Sequence, residues 1–184
     1  DVDLTGTTTL VNLDVSGAVN FAADVTFADG ADLITASAGT SNLRLGVNAG
    51  NSIESGGNFN VVVGDEAGTA ITTGDNNVAV GFEALKTNAT SAQNTAVGHT
   101  ALKFNTAANN SAFGYGALAA NTTGTYNVAL GRSALATNTT ASNNTAVGYE
   151  SLYANTTAAN NIAVGQGALR TNTTGSENTA LGQN

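Results

Sequence analysis

The tightest constraint on this chain is a period. The pattern N-x-A-[VLF]-G, with Val62 for the Ala in its first copy, places a glycine at positions 64, 81, 98, 114, 131, 148, 165 and 182. Every interval is 17 residues except the step from 98 to 114, which is 16. A looser copy, NLRLG, ends at Gly46, 18 residues before Gly64. The whole unit reads N-x-A-V-G-x-x-A-L-x-x-N-T-T-x-x-x, and positions are counted below from its first Asn. Seventeen residues are too few for a helix pair and enough for two short strands and two turns. One unit per coil predicts an all-β fold, a parallel β-solenoid with equivalent residues stacked about 4.8 Å apart.

Stacking turns each position into a column. Asn77, Asn94, Asn110, Asn127, Asn144, Asn161 and Asn178 form one, and stacked amides hydrogen-bond from coil to coil. N-x-A-V-G reads as a first strand and x-A-L-x-x as a second, with the Asn and Gly positions suited to left-handed corners. The expected core is the position-four column (Val80, Val97, Phe113, Leu130, Val147, Val164, Leu181) together with the Leu85 series. The single deletion falls in the loop between Asn105 and Asn110, where it shortens a turn without shifting a strand register. Neither face of the first strand is charged, and such strands are usually buried on both sides. The small-residue face, Ala146 and Gly148 in one copy, is therefore expected to meet a symmetry mate.

Composition agrees with a thin core. The 184 residues include 22 Gly, no Pro, Cys, Met or Trp, and 5% aromatics. A net charge of −8 repels phosphate backbones and argues against nucleic acid as a partner. No apolar run is long enough to span a membrane. The chain begins at Asp1 and ends inside a repeat, and is read as a segment of something longer.

Signatures of catalysis are missing. There is one His and no Cys, and neither a G-x-S-x-G elbow nor a phosphate loop is present. No enzyme activity and no cofactor are expected. Glu66, Glu83 and Glu150 share position seven, where carboxylates a coil apart lack a pocket to act as a glycosidase pair. The sequons at Asn121, Asn138, Asn155 and Asn172 follow from stacking Asn and Thr at corners. The Thr columns raise an ice-binding reading, but the Thr pairs are adjacent at a corner and not alternating on a flat face. Position six varies most among the bulky columns and is expected outside. Its residues Phe82, His99, Tyr115, Arg132 and Tyr149, with nearby Tyr153, are the candidate receptor contacts. Mixed chemistry in that column makes His99 a surface residue and not a metal ligand on an axis.

Residues 1–41 lack the period. Leu13 and Val15, Val19 and Phe21, Val25 and Phe27 alternate between Gly6, Gly17 and Gly30, which reads as a β-rich shaft or collar. Its acidic residues read as a solvated shaft, with calcium at Asp29–Asp32 as the sharper alternative. Residues 42–184 form the repeat domain of about eight coils.

The recurring NTAVG…AL…NTT units over residues 42–184 resemble the YadA-like head repeats of trimeric autotransporter adhesins. They look still more like the repeats of bacteriophage tail-fibre and tail-spike proteins, because the adhesin unit is commonly shorter. The resemblance implies a left-handed β-roll, three chains around one axis, and a fibre segment or adhesin. It implies a virion tail fibre contacting a host-surface glycan or protein receptor and other tail proteins. The alternative is an adhesin head on a bacterial surface.

Overall fold

A computed structural model describes residues 39–183, all within the compact unit Ile34–Asn184. The shaft reading for the first residues and the calcium alternative at Asp29–Asp32 lie outside the described residues. Nine three-residue strands follow one another: β1 (Leu43–Leu45), β2 (Val61–Val63), β3 (Val78–Val80), β4 (Thr95–Val97), β5 (Ser111–Phe113), β6 (Val128–Leu130), β7 (Thr145–Val147), β8 (Ile162–Val164) and β9 (Thr179–Leu181). They pair in sequence order, all parallel, in one sheet. This is the parallel β-solenoid the period predicts. Its eight inter-strand steps at ~4.8 Å span about 38 Å. The loose copy NLRLG supplies β1. The short coil leaves the register intact, with Thr95 paired to Ser111 and Ser111 to Val128.

The Asn column is a ladder. The Asn127 backbone N–H donates to Asn110 Oδ1 at 3.0 Å, and the Asn144 N–H donates to Asn127 Oδ1 at 3.0 Å. The same bond recurs from Asn60 to Asn178, and these side chains are buried up to the last coil. A second ladder runs through position twelve, where Asn138 Nδ2 donates to Asn121 Oδ1 at 2.8 Å. Each amide also donates to a loop carbonyl, as Asn121 does to Gly124 at 2.9 Å. The sequon Asn121, Asn138 and Asn155 amides are thus buried and bonded, which leaves no nitrogen free for a glycan in the folded coil.

Two expectations are corrected. The A-L segment is not a second strand but a run of turns. The core of the first strand is its alanine and not its Val, Leu or Phe. Ala79, Ala96, Ala112, Ala129, Ala146 and Ala163 are fully buried, while Val80, Val97, Phe113, Leu130, Val147, Val164 and Leu181 face outward. Ala146 is therefore buried within its own chain, while Gly148 is half-buried with its α-carbon against the Gly165 carbonyl. A strand sends alternate residues to opposite faces, and a 17-residue coil leaves room inside for one large side chain. That side chain is the buried Leu of position nine: Leu85, Leu102, Leu118, Leu135 and Leu152. Alanine across from it fills what is left.

That leucine holds an unusual backbone. Leu85, Leu102, Leu118, Leu135, Leu152 and Leu169 all have φ between 49° and 53°. The left-handed corners also include the residue before each ladder Asn, such as Gln93 and Tyr126, and not the ladder Asn itself. A left-handed backbone disfavours branching at Cβ. Leu118→Met should cost under about 1.5 kcal/mol. Leu118→Ile keeps the volume but should cost about 2–3 kcal/mol. Urea unfolding of the two variants checks the order; equal losses would mean that volume alone matters.

The first two coils solve the core differently. Position nine is Gly50 and Gly68, and the buried bulk comes from Ile53 and Ile71 at position twelve, where later coils carry Asn. A Cβ on Gly68 would lie 2.6 Å from a Val62 methyl and 2.8 Å from an Ile71 methyl. The larger Val62 stands where later coils have Ala.

Candidate functional site

Position six begins the turn after each strand, one residue beyond the stacked glycine. The parallel register delivers one such side chain per coil to the same place, so neighbours sit a strand spacing apart. This is close to ring-stacking distance. Phe82 and His99 have ring centroids 5.0 Å apart, tilted by 33°. His99 and Tyr115 are 4.9 Å apart and nearly parallel, at 11°. The Arg132 guanidinium lies 5.7 Å from the Tyr115 ring centre and 5.8 Å from that of Tyr149. Five of the six candidate contacts therefore form one exposed, continuous column. Tyr153 belongs to the neighbouring position-ten column, where Arg170 lies over its ring at 5.4 Å.

Stacking changes what the column offers. Both faces of His99 are covered by Phe82 and Tyr115, and Tyr115 lies between His99 and Arg132. These residues present edges, hydroxyls and N–H groups outward, not open ring faces. Tyr149 ends the aromatic run, and its face away from Arg132 turns toward Gln166.

Beside the column runs a chain of charges absent from the sequence reading. Lys86 bridges Glu66 and Glu83, and Lys103 meets Glu83 at 2.6 Å. Arg170 Nε meets Glu150 Oε2 at 2.6 Å. Three of these pairs, Glu66–Lys86, Glu83–Lys103 and Glu150–Arg170, join residues 20 apart. That is one coil plus the three residues from position seven to position ten, so the spacing was a readable signal. The Glu66 and Glu83 bonds push Lys86 up to about 12. Lys103, then Lys86, holds the Glu83 carboxyl below its ordinary value, opposite to the elevation a general acid needs. Arg170, then the Tyr149 hydroxyl, holds Glu150 down, and donation to Glu150 raises the Tyr149 phenol. Among the described residues no group of three or more His, Cys, Asp or Glu side chains is placed to hold a metal.

The first Thr of each corner pair is spent internally, while the second, as Thr123 and Thr140, is exposed. Thr122 Oγ1 donates to the Thr139 carbonyl at 2.9 Å, and Thr139 Oγ1 to that of Thr156 at 3.1 Å. In comparisons with protein-family models, curated proteins and solved structures, nothing matches this chain.

Proposed function

We propose that this chain is a structural and adhesive segment of a trimeric fibre, of the bacteriophage tail-fibre kind, that contributes to host-surface attachment. The carrying observation is the outward face of the sheet. Position four of successive strands makes an apolar stripe along the solenoid, widened at position two by Val61, Val78, Val128 and Ile162 and interrupted there by Thr95, Ser111, Thr145 and Thr179; Phe113 is 40%, Val128 41%, Leu130 49% and Ile162 45% exposed. The rest of the coil spends its polar groups on internal ladders, yet this face is left to water. A contiguous apolar surface of that kind marks an association site. Identical chains lying side by side cover it by rotation about an axis parallel to the solenoid. The number three and the virion location rest on the resemblance of the repeats. An adhesin head on a bacterial surface would use the same face.

The exposed column then lies beside the sheet face, available to a host glycan or protein. The Thr pairs are adjacent at a corner with the first hydroxyl committed to a coil-to-coil bond, which weighs against an alternating Thr face that could order ice. Sedimentation of the full chain should give three times 18.1 kDa, and Val128→Asp with Leu130→Asp should give single chains with the circular dichroism unchanged. The trimer should cosediment with host cells, and Tyr115→Ala with Tyr149→Ala should weaken that without lowering Tm. A monomeric parent chain overturns the assembly, and unchanged cosedimentation of the Tyr variant overturns the adhesive role of the column.

A further inference from the structure

Charge is spread unevenly along the solenoid. The chain has 13 Asp and Glu against 5 Lys and Arg, yet residues 84–149 contain no Asp or Glu. This acid-free belt spans about four coils, and the exposed column from His99 to Tyr149 lies inside it. At one edge of the belt Lys86 and Lys103 are bonded to Glu66 and Glu83, and at the other Arg170 is bonded to Glu150. Arg132 differs from these cations. Its guanidinium lies between the Tyr115 and Tyr149 rings, 5.7 and 5.8 Å from their centres. Among the described residues it makes no ion pair and no side-chain hydrogen bond. The pairs 20 residues apart join position seven to position ten, and Arg132 stands at position six, outside that pattern. Beside it, position seven holds Gly116 and Ser133. No side chain fills that place at Gly116; beyond its chain neighbours, a Cβ there would meet only Ser133 Oγ, at 3.9 Å.

We infer that Arg132 anchors the carboxylate of an acidic sugar, a uronic or sialic acid residue of a surface glycan; the inference rests on the adhesive reading above and names its ligand. The planar fork of an arginine matches a carboxylate with two parallel N–H···O bonds. Attraction to the flanking rings steadies the side chain and leaves its N–H donors for a ligand. The Ser133 and Tyr115 hydroxyls suit the hydroxyls of a sugar. The net charge of −8 does not oppose one carboxylate here. Glu83 lies three coil steps from Arg132, about 14 Å at ~4.8 Å each, beyond the ~8 Å screening length of physiological salt. Glu150, one step away, is already paired with Arg170 at 2.6 Å. Lys86, Lys103 and Arg170 are all paired, so a run of carboxylates would find no second cation in the column. A single acidic residue on an otherwise neutral glycan fits best.

The fold supplies an internal competitor. Gly116 has φ 65°, in the region where Glu66, Glu83 and Glu150 sit at 56°, 53° and 52°, so the coil accepts Gly116→Glu. The residue 20 further on is Ala136, which leaves the new carboxylate to Arg132.

The test is NMR of the full chain, following backbone amides and the Arg132 Nε–H. The ligands are methyl glucuronide, N-acetylneuraminate, methyl glucoside, sodium acetate and hexaglutamate. At least one acidic sugar should move the Arg132 Nε–H and the Gly116 and Ser133 amides, with Kd of about 1–10 mM. Methyl glucoside and acetate should bind at least about tenfold more weakly. Arg132→Lys should weaken acidic-sugar binding about tenfold, and Arg132→Gln and Gly116→Glu should each abolish it at unchanged Tm. The site is overturned if neither acidic sugar moves these resonances, if methyl glucoside or acetate binds as tightly, if hexaglutamate binds more tightly, or if the shifts survive Arg132→Gln. Cells that cosediment with the chain while acidic sugars leave Arg132 unmoved would remove this site and keep the adhesive reading. Acidic-sugar binding at Arg132 without cosedimentation would do the reverse.

Discussion

Gly131→Ala should lower the unfolding free energy by about 3–5 kcal/mol, near the upper end for a single methyl group. Gly131 has φ 138°, and a Cβ there would lie 2.5 Å from the Gly148 carbonyl oxygen and 2.7 Å from its carbon. Both atoms are backbone of the next coil, so relief requires moving a strand and not a side chain. The glycines at 46, 64, 81, 98, 114, 148 and 165 face the same neighbour in turn. One added methyl would pry apart a stack whose spacing is set by backbone hydrogen bonds. Gly116→Ala is the control. Its φ is 65°, its Cβ would meet only Ser133 Oγ at 3.9 Å, and other coils place Glu and Ser there. It should cost under about 1 kcal/mol. Paired urea melts measure both. Equal, small losses would mean that the coils slide apart more easily than the geometry implies.

The second large effect belongs to the Asn ladder. Asn127 is fully buried. Its Nδ2 donates to the Ala141 carbonyl at 2.8 Å and to Asn110 Oδ1 at 3.2 Å, and its Oδ1 accepts the Asn144 backbone N–H at 3.0 Å. Asn127→Ala leaves the Asn144 backbone N–H buried and unmet, while the Ala141 carbonyl keeps Asn138 Nδ2 and Asn110 Oδ1 keeps the residue-127 N–H, at about 1–3 kcal/mol. Asn127→Asp is more informative because it keeps the shape. Where Nδ2 donated, an acceptor now faces two acceptors, and burial penalises the charge. Both effects raise the folded-state pKa of the new carboxyl above its unfolded value of about 3.9. The penalty is therefore full above the raised pKa and is relieved as pH falls through it, when the acid can donate to Ala141. The variant should be less stable at neutral pH than at mildly acid pH, relative to the parent at each pH. A pH-independent difference would show that the rung opens to water.

The periodic part of this fold was legible because stacking forces equal spacing on every column. The strands, their register, the Asn ladders, the buried Leu85 column and the outward position-six column all follow from counting seventeens. What counting could not reveal is which face of the strand points inward. Val at position four looks like core and Ala at position three like a place for close approach, yet Ala is the core and Val faces outward. The deciding quantity is the width of the coil, set by a Leu at left-handed φ that no propensity would place in a turn. The exchange of Leu and Asn for Gly and Ile in the first coils was hidden for a related reason: it conserves filled volume, not letters. Of the six chosen side chains, the five of position six are exposed and Tyr153 is half-buried; their mutual stacking depends on which side chain stands at the same position in the adjacent coil.

The one short coil has a consequence for load. Asn105, a coil above Asn88, turns its Nδ2 to the Ala107 carbonyl at 2.6 Å, within its own shortened loop. Asn88 Oδ1 is left buried without a partner, and the Ser91 hydroxyl takes the Thr106 carbonyl at 2.6 Å. Coils stacked this way are joined in series. Under tension along the axis every interface carries the same force, so strength is set by the weakest rung and not by the sum. The step between Asn88 and Asn105 lacks the position-twelve ladder bond that every later step keeps, so its resistance rests on the Thr87, Ser91 and Lys103 side chains that cross it instead.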